Sequence, residues 1–366
     1  MSDGLDEDAP PTTVRDGVAL ATMPVPVRRV SMADVARVAG VSAQTVSRVS
    51  NGHPGVVEAT RTRVLDAMAE LGYRPNSAAR ALKSGSFRTI GVILFSLATT
   101  GNVRTLEAIA TSAAGEGYAI TVIPVAAPTQ DGVRGAFTRL GELAVDGVIV
   151  IMEVHLLDAA TVTLPPNVQV VVVDSDAGDR YPVVDTDQAD GTRQAVQHLL
   201  DLGHATVHHL AGPAHSFAAE RRTHAWRGTL EAANRAVPAI ERGDWSPSSG
   251  YEAGLRLAAR EDCTAVFVAN DQMALGLVRA LHDSGKRVPE DVSVVGFDDL
   301  PESSEFLPPL TTVHQDFAEV GRRCVEQVLR QVREGVHETG TRLVPTRLVE
   351  RASTAPPPRE DPGRGR

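Results

Sequence analysis

The chain has 366 residues, 42% of them hydrophobic, and a formal net charge of -10. This length exceeds the ~250 to 300 residues at which one core usually stops growing, so we expect more than one packed unit. Its longest apolar runs are far shorter than the ~18 residues of a membrane span, and the acidic first residues lack the apolar segment of a secretion signal. Two cysteines, far apart in sequence, suggest neither a disulfide framework nor a metal motif. We therefore expect a soluble, cytoplasmic protein.

The charge is distributed unevenly along the chain. Residues 28–88 carry ten Lys or Arg and four Asp or Glu, a net charge of +6, whereas residues 1–27 carry one Arg and five acids. A compact basic segment in an acidic chain is typical of a nucleic-acid-binding head. The two ends, 1–27 and 352–366, are rich in Pro and charged residues, and we predict that both are disordered.

The basic segment carries the signals of three short helices. Ser31 and Asp34 fit a capping box that opens a helix ending at Gly40, and Ser42 can cap a second helix two residues later. A third helix is predicted by apolar residues at helical spacing, namely Val64, Ala67, Met68 and Leu71. Short helices joined by a Gly-containing turn favour a helix-turn-helix.

The second helix has one apolar face and one face suited to DNA. Val41, Val46 and Val49 can point inward, which leaves Ala43, Gln44, Ser47 and Arg48 outside. Gln can pair with adenine, Arg with guanine, and a small Ala admits a thymine methyl group. Thr45, Ser47 and Asn51 suit phosphate contacts. For any one of these residues the alternative is an ordinary solvated helix face, but the basic context favours DNA recognition by the set.

From residue 89 onward short β-branched runs alternate with helical stretches. The predicted strands are 89–94, 119–125, 146–152, 168–174, 205–212, 264–271 and 291–299. Repeated β-α units predict parallel sheets covered by helices on both faces. About 260 residues of such units exceed one ordinary sheet, so we expect two lobes.

Polar residues gather where several of these predicted strands end. Asp174, the pair Asn270 and Asp271, and the pair Asp298 and Asp299 follow three strands, and ligands of open α/β sheets bind at that edge. Carboxylates and amides suit the hydroxyl groups of a sugar, and an aromatic ring can stack on its apolar face. The alternative for each residue is a helix N-cap, which we favour for Asp271.

Signals of catalysis are weak. The sequence has no P-loop, G-x-G-x-x-G, H-E-x-x-H or G-x-S-x-G motif, so we expect no enzyme and no cofactor. His208 and His209 are adjacent in a predicted strand and would point to opposite faces, so we expect no metal site there.

Four stretches closely resemble the lactose-repressor/galactose-repressor family of bacterial transcription regulators. They are SMADVARVAGVSAQTVSRVSNG, TRTRVLDAMAELGYRPNSAARALKSGS, ANDQMALG and GFDDLPESSEFLPPLTTVHQDF, and the resemblance runs from about residue 30 to 351. It implies a small all-α helix-turn-helix head with a hinge helix, followed by an α/β two-lobed periplasmic-binding-protein-like body with doubly wound parallel sheets. The expected domains are a head at 28–74, a hinge and linker at 75–88 and an effector-binding and dimerisation body at 89–351. Within the body we expect lobe 1 at about 89–186 and 317–344, and lobe 2 at about 187–315 and 345–351.

The resemblance also implies which residues contact operator DNA. Ala43, Gln44 and Arg48 match base-reading positions, and Leu82 matches a leucine that wedges into the minor groove. The full expected set is Ser31, Met32, Ser42, Ala43, Gln44, Thr45, Ser47, Arg48, Asn51, Tyr73, Asn76, Ala79 and Leu82. The hinge helix would have only about eight residues, too few for an isolated helix, so we expect it to fold on DNA. Val57 departs from the family, which often has Ser or Thr as the cap of the third helix.

The resemblance places an effector site in the body. The matching positions are Asp174, Arg222, Trp245, Asn270, Asp298 and Gln315. The motifs GDWS and ANDQMALG look closest to lactose-repressor-like members, which favours a galactoside-like sugar. The stretches 94–102 and 151–155 depart from those members, so a nucleobase or another corepressor stays an alternative.

The family implies a mode of action as well. We expect a transcription regulator, in particular a repressor, that binds a pseudo-palindromic operator as a homodimer under allosteric control. The last residues contain no leucine heptad, which favours a dimer over a tetramer. A sugar-binding protein without a role on DNA is the weaker alternative, since it would not need a basic head.

Overall fold

The computed structural model describes residues 30–73, 85–97, 99–125, 130–143, 145–151, 168–175 and 177–358. The chain divides into two compact units, with the boundary between Arg80 and Ala81. The predicted extension 1–27 and the hinge residues Asn76, Ala79 and Leu82 lie outside the described residues. Where the chain is described, none of its helices combines the length and the apolar character that crossing a membrane requires.

The head contains the three predicted helices. They are α1 (Met32–Ala39), α2 (Ala43–Ser50) and α3 (Glu58–Glu70). The capping box is confirmed, because the Ser31 hydroxyl accepts from the Asp34 amide and the Asp34 carboxylate accepts from the Ser31 amide. Gly40 ends α1 at φ 64°, a left-handed conformation that favours glycine. The three helices are therefore bounded largely by local signals.

One small apolar core joins these helices. Its buried members are Val35, Ala36, Ala39, Val46, Val49, Val64, Ala67 and Met68. The predicted inward residues of α2 belong to it, with Val41 half-buried at its edge. The N-cap of α3 is Val57, whose side chain makes no capping hydrogen bond. A missing cap of this kind costs about 1 kcal/mol, but it leaves the outer face of α2 untouched.

The first half of the body forms one parallel sheet with its helices, which we call lobe 1. The elements are β1 (Thr89–Leu94), α4 (Thr100–Gly115), β2 (Ala119–Pro124), α5 (Gln130–Leu143), β3 (Gly147–Ile151), β4 (Gln169–Val173) and β5 (Pro182–Thr186). A late strand, β11 (Gly340–Val344), pairs with β5, and the strand order is β11-β5-β4-β3-β1-β2. The helix α10 (Phe317–Glu334) packs on this sheet and on α4.

The rest of the body forms a second six-stranded sheet with its helices, which we call lobe 2. The elements are α6 (Gln188–Asp201), β6 (His208–Ala211), α7 (Phe217–Ala232), β7 (Glu241–Arg242), α8 (Pro247–Ala258), β8 (Ala265–Val268), α9 (Asp271–Asp283), β9 (Ser293–Asp298), β10 (Thr311–His314) and β12 (Arg347–Val349). The strand order is β12-β10-β9-β8-β6-β7, and only β12 runs antiparallel to its neighbour. Two parallel-dominated sheets in the body agree with the predicted fold class.

Each sheet is covered on both faces. In lobe 1 one core contains Ile109 of α4 and Val325 of α10, and the other contains Phe137 and Leu140 of α5. In lobe 2 the two cores lie under α8 with α9 and under α6 with α7. Strands buried on both faces read as continuous apolar runs, which is why VQVVVV was recognisable in the sequence.

The described chain passes between the lobes at three places. It leaves lobe 1 after β5 and enters lobe 2 at α6, returns between β10 and α10, and leaves lobe 1 again between β11 and β12. The first of these crossings, residues 185–188, consists of the last two residues of β5, the residue that follows them and the first residue of α6. All three lie at strand ends, so the carboxyl edges of both sheets face one cleft.

The predicted disorder of residues 352–366 is wrong for 352–358, which are packed on lobe 2. Ser353 is fully buried, its hydroxyl donates to the Val294 carbonyl at 2.6 Å, and it accepts from the Thr311 amide at 2.8 Å. The Ala355 carbonyl accepts from the Ser293 hydroxyl at 2.9 Å. Pro-rich composition suggested disorder, but these hydrogen bonds join the segment to β9 and β10.

Replacing Ser353 with Ala should destabilise the body measurably. The Thr311 amide would lose its acceptor in a buried place, and such a group costs about 1 to 3 kcal/mol. Urea unfolding of the full chain followed by far-UV circular dichroism measures the loss. Ser304→Ala, at an exposed serine, is the control, and equal stability of the two variants would show that the Ser353 hydroxyl does not stabilise the body.

Candidate functional site

The outer face of α2 presents the predicted base-reading residues to solvent. Ala43, Gln44 and Arg48 are exposed and Ser47 is half-buried, while Val46 and Val49 are in the core. The Ser42 hydroxyl accepts from the Thr45 amide at 3.1 Å and fixes the start of the helix. The side chains that can read base edges are therefore available along one face.

Several of the other predicted DNA-contact residues also have a structural role in the head. Ser31 caps α1, and the Asn51 amide group donates to the Ser47 carbonyl at 2.8 Å at the end of α2. Met32 and Tyr73 are half-buried against the head core. These contacts are compatible with phosphate binding, since backbone contacts to DNA position a head without reading sequence.

All six residues predicted for the effector site line one cleft in the body. Its volume is about 660 Å³ including the open mouth, and its walls come from both lobes. Asp174 follows β4 in lobe 1; the others, Arg222, Trp245, Asn270, Asp298 and Gln315, come from α7, a loop, the start of α9, the end of β9 and the segment after β10. Residues separated by up to 141 positions thus line one cleft, because the strands of each sheet end at the edge that faces it.

Arg222 is the central cation of this cleft. It is 4% exposed, its Nε atom donates to the Gln188 side-chain oxygen at 2.8 Å, and its NH1 atom donates to the Ala269 carbonyl. Its guanidinium lies 3.8 Å from the centre of the Phe297 ring and 3.9 Å from the Asp298 carboxylate. Burial lowers the pKa of Arg222, and the surrounding carboxylates oppose that shift, with Asp298 first. The arrangement fixes a planar donor at the back of the cleft.

Asp298 forms the acidic counterpart on the same wall. Its Oδ1 atom accepts from the Gln315 amide at 2.6 Å, and its backbone has φ 118°, outside the usual range for a non-glycine residue. Burial raises the pKa of Asp298 to about 7, although the neighbouring Arg222 acts in the opposite direction. The carboxyl group can therefore change its proton state near neutral pH when a ligand adds or removes a hydrogen bond.

Trp245 supplies an aromatic face. Its ring lies so close to Gly212 that a Cβ atom there would be 2.4 Å from the indole, so residue 212 must be glycine for this position of the ring. The backbone of Trp245 has φ 76°, and its carbonyl accepts from the Asn270 amide at 3.1 Å. Backbone strain of this kind collects at binding sites. A half-buried indole suits stacking against the apolar face of a flat ligand or a sugar ring.

The predicted capping role of Asp271 is wrong, because Asn270 is the N-cap of α9. The Asn270 side-chain oxygen accepts from the Met273 amide at 2.9 Å. Asp271 is instead fully buried and accepts from the hydroxyls of Ser303 and Thr312, both at 2.6 Å. Asn270 thus has two functions, in the cap and in the wall of the cleft.

Several cleft residues were not predicted. Lobe 1 adds Thr99, Thr100, Gly101, Asn102, Thr105, Asp185 and Thr186, and further positions are Gln188, Ser216, Ala218 and Phe317. Asp185 and Thr186 end β5, a strand that was not recognised because its run of apolar residues is only three long. The sequence signal that could have identified Asp185 and Thr186 as cleft residues is that they are polar and directly follow an apolar run.

The histidines of β6 are buried within lobe 2. His209 stacks on Phe267 at 5.0 Å, and burial lowers its pKa to about 4. His208 is fully buried as well. In the described part of the chain no group of three His, Cys, Asp or Glu side chains is placed to hold a metal ion.

A helix-turn-helix head joined to a body with a polar cleft between two α/β lobes defines a DNA-binding regulator of the ligand-responsive type. Residues 31–76 match the family model of bacterial regulatory proteins of the lacI family, and residues 196–354 match that of the periplasmic binding protein-like domain. The chain belongs to the lacI family of bacterial regulatory proteins, and it is a transcription regulator that binds DNA through its head.

Curated relatives match the chain over most of its length. The lactose operon repressor of Escherichia coli (strain K12) is 39% identical over 333 residues, which are 90% of this chain and 91% of the relative. The HTH-type transcriptional repressor PurR of Haemophilus influenzae (strain PittEE) is 31% identical over 87% of this chain and 97% of the relative.

Solved structures of similar proteins also match this chain over most of its length. A crystal structure of the lac repressor dimer bound to operator and the anti-inducer ONPF has a TM-score of 0.79 and 37% identity, covering 90% of this chain and 100% of that chain. A complex of the transcriptional regulator CelR with cellobiose has a TM-score of 0.65 and 29% identity, covering 89% of this chain and 100% of that chain.

The raised pKa of Asp298 should make the free energy of unfolding depend on pH. Its pKa of about 7 in the folded protein exceeds the ordinary value of 3.8, so this group stabilises the fold at low pH, and the contribution is lost as pH rises through 7. Relative to Asp298→Asn, the unfolding free energy of the wild type should fall by up to ~1.4 kcal/mol per pH unit between pH 5 and 7. Urea unfolding of both proteins at pH 5, 6 and 7 tests this, and a constant difference between them would contradict it.

Proposed function

We propose that the protein is a repressor that binds a pseudo-palindromic operator as a homodimer and responds to a small sugar in the interlobe cleft. Support for the repressor role comes from its curated relatives, which are named repressors. Support for the dimer comes from the lac repressor dimer on its operator, because two heads related by a two-fold axis read two half-sites. Such a protein acts where its DNA is, in the cytoplasm, and regulates rather than catalyses.

For the head, we propose that Gln44 and Arg48 read base edges and that Ala43 permits close approach. All three are exposed on one face of a helix whose other face is buried in the core. Ser31, Ser42, Thr45, Ser47, Asn51 and Tyr73 are proposed to contact phosphates around them. The hinge residues Asn76, Ala79 and Leu82 are proposed to complete the interface through the minor groove.

The observation that carries the effector proposal is the cleft that contains all six predicted residues. Carboxylate, amide and guanidinium groups lie around one indole ring there, and this combination suits a neutral ligand with several hydroxyl groups. Solved relatives hold ONPF and cellobiose, respectively. A galactoside-like sugar is therefore the first candidate.

A nucleobase is the second candidate. Trp245 and Phe317 both line the cleft, and flat aromatic ligands stack on such rings as readily as sugars do. The PurR relatives make this class worth testing. Arg222 can only donate and the Asp298 carboxylate accepts, so a base would have to present an acceptor and a donor at the matching positions of its edge. A hydroxyl group can both donate and accept, so vicinal hydroxyls suit both residues together.

A thermal-shift panel separates the two candidates. Galactose, ONPG and cellobiose form one arm, and adenine, guanine and hypoxanthine form the other. A ligand that binds the folded protein raises the melting temperature, and the stabilisation grows with the logarithm of its concentration relative to Kd, so a shift in only one arm identifies the class. Stabilisation by bases alone would reject the sugar, and no shift in either arm would reject both candidates.

Operator binding itself has a separate test. Affinity should fall steeply as salt concentration rises, because phosphate contacts release counterions. Fluorescence anisotropy with a labelled operator at several salt concentrations measures the slope. An affinity that does not depend on salt would reject DNA binding by the basic head.

A further inference from the structure

Two consecutive arginines of α7 are each held by the first crossing between the lobes. Arg222, in the back of the cleft, donates to Gln188 at the start of α6. Arg221, its neighbour, has its NH1 atom 3.6 Å from the Oδ2 atom of Asp185, which belongs to β5 of lobe 1. The first contact lies within lobe 2, but the second joins lobe 2 to lobe 1.

Asp185 has a buried carboxylate of which only one oxygen atom accepts a hydrogen bond from a described residue. It is 2% exposed, and its Oδ1 atom accepts from the Thr186 amide at 2.7 Å. Its Oδ2 atom is shielded from solvent and has no hydrogen bond within the described residues. Burial raises the pKa of Asp185 to about 6, and Arg221, the Thr186 amide and the Gln188 side chain, in that order, act in the opposite direction. A distance of 3.6 Å to Arg221 is an ion pair but too long for a hydrogen bond.

The position of Asp185 indicates a role other than direct ligand contact. Asp185 is among the residues that line the cleft. Its Oδ2 atom, however, is covered from solvent and lies beside Arg221. A small approach of α7 to β5 would give this atom a charge-assisted hydrogen bond, which is stronger in a buried site than in water. The strength of this pair therefore depends on the angle between the lobes.

We propose that Asp185 and Arg221 form an interlobe clasp that couples ligand binding at Arg222 to the angle between the two lobes. A ligand that contacts Arg222 acts on α7, and Arg221, the preceding residue of the same helix, carries the displacement to lobe 1 through Asp185. The clasp rests on the proposed function, in which the cleft holds the effector. Asp185 and Arg221 are positioning residues, since they contact each other and act on the ligand through α7.

The clasp can be tested without any ligand by measuring the interlobe distance. Spin labels at Glu142→Cys on α5 and Glu252→Cys on α8 report on lobe 1 and lobe 2, because both positions are exposed. The native Cys263 and Cys324 are buried and should stay unlabelled. Electron paramagnetic resonance on the full chain, with labelled protein diluted in unlabelled protein, gives the distance distribution.

Four clasp variants and one control variant of the labelled chain are compared with the parent. Asp185→Asn, Arg221→Gln and the double variant remove the clasp, and Arg221→Lys keeps its charge. Arg193→Gln is the matched control, since it breaks an exposed ion pair with Asp190 within α6. Circular dichroism confirms that each variant is folded before its distances are compared.

Asp185→Asn, Arg221→Gln and the double variant should each broaden the distance distribution roughly twofold, because a second arrangement of the lobes becomes populated. The double variant should broaden it no more than either single variant, and Arg221→Lys should restore most of the parental width. An unchanged distribution, or an equal change in Arg193→Gln, would overturn the clasp.

A second readout is the ratio of operator affinities with and without ligand, using galactose, ONPG and cellobiose as probes. In Asp185→Asn and Arg221→Gln this ratio should fall about tenfold toward 1. A parental ratio in both variants would also overturn the clasp. If no probe alters operator binding by the parent, the proposed sugar response fails, while the distance measurement still decides the clasp.

Discussion

Arg222→Ala is expected to abolish the response of operator binding to the effector. The guanidinium is the only cation that lines the described cleft, and its loss leaves the Gln188 and Ala269 oxygens without their donor. A hydrogen bond from a charged group to a bound ligand contributes about 1.5 to 3 kcal/mol, so its removal should lower ligand affinity by roughly 10- to 150-fold. The fold should survive, since Asp298 can take up a proton when its counter-charge is gone.

Thermal shift with the responding ligand and anisotropy with operator measure this effect. Arg227→Ala is the matched control, because Arg227 is an exposed arginine of the same helix. The control should respond like the parent. A normal ligand response in Arg222→Ala would remove this residue from the site.

Arg48→Ala is expected to weaken binding to the preferred operator by about 5- to 150-fold, which corresponds to the 1 to 3 kcal/mol of one bidentate contact with guanine. Its preference among operator sequences should relax at one base pair in each half-site. The core of the head should be unaffected, because Arg48 is exposed on the outer face of α2.

Competition binding with a set of single-base operator variants measures both effects. Arg63→Ala removes the same charge from an exposed position on α3 and serves as the control. It should change affinity less and leave base preference intact. Equal loss on all sequences in Arg48→Ala would assign Arg48 to the phosphate backbone instead of a base.

The head could be predicted in detail because its signals are local. A capping box, a left-handed glycine and apolar residues at helical spacing each depend on a few neighbouring positions, and the structure has them at Ser31, Gly40 and Val64. Which outer residues read bases is not determined by the fold of the head. Residue chemistry and the outer face of α2 suggested Ala43, Gln44 and Arg48, the resemblance matched them to base-reading positions, and the contacts themselves depend on the partner DNA.

The body shows where local signals are insufficient. The seven predicted strands all exist, with ends shifted by up to three residues, because apolar β-branched runs buried on both faces are distinctive. The strands β5, β7, β10, β11 and β12 were missed. β7 has only two residues, and β11 is largely exposed, so neither carries an apolar run; their pairing depends on the neighbouring strand.

The cleft was predictable where polar residues end a recognisable strand or match a family position, as for Asp174 and Asp298. It was not predictable where a residue's role depends on tertiary contacts. Asp271 precedes a helix in sequence and fits a cap, but Ser303 and Thr312, which lie far along the chain, decide its place in the core. The interlobe contact of Asp185 with Arg221 also joins distant segments, and no local pattern indicates it.

Control of DNA binding by a ligand in the cleft is tested most directly by operator titrations of the full chain with each compound of the thermal-shift panel. One compound that stabilises the protein should change operator affinity about tenfold or more, in either direction, and should have no effect on Arg222→Ala. A compound that raises the melting temperature through the cleft but leaves operator affinity unchanged would contradict the coupling of the two sites.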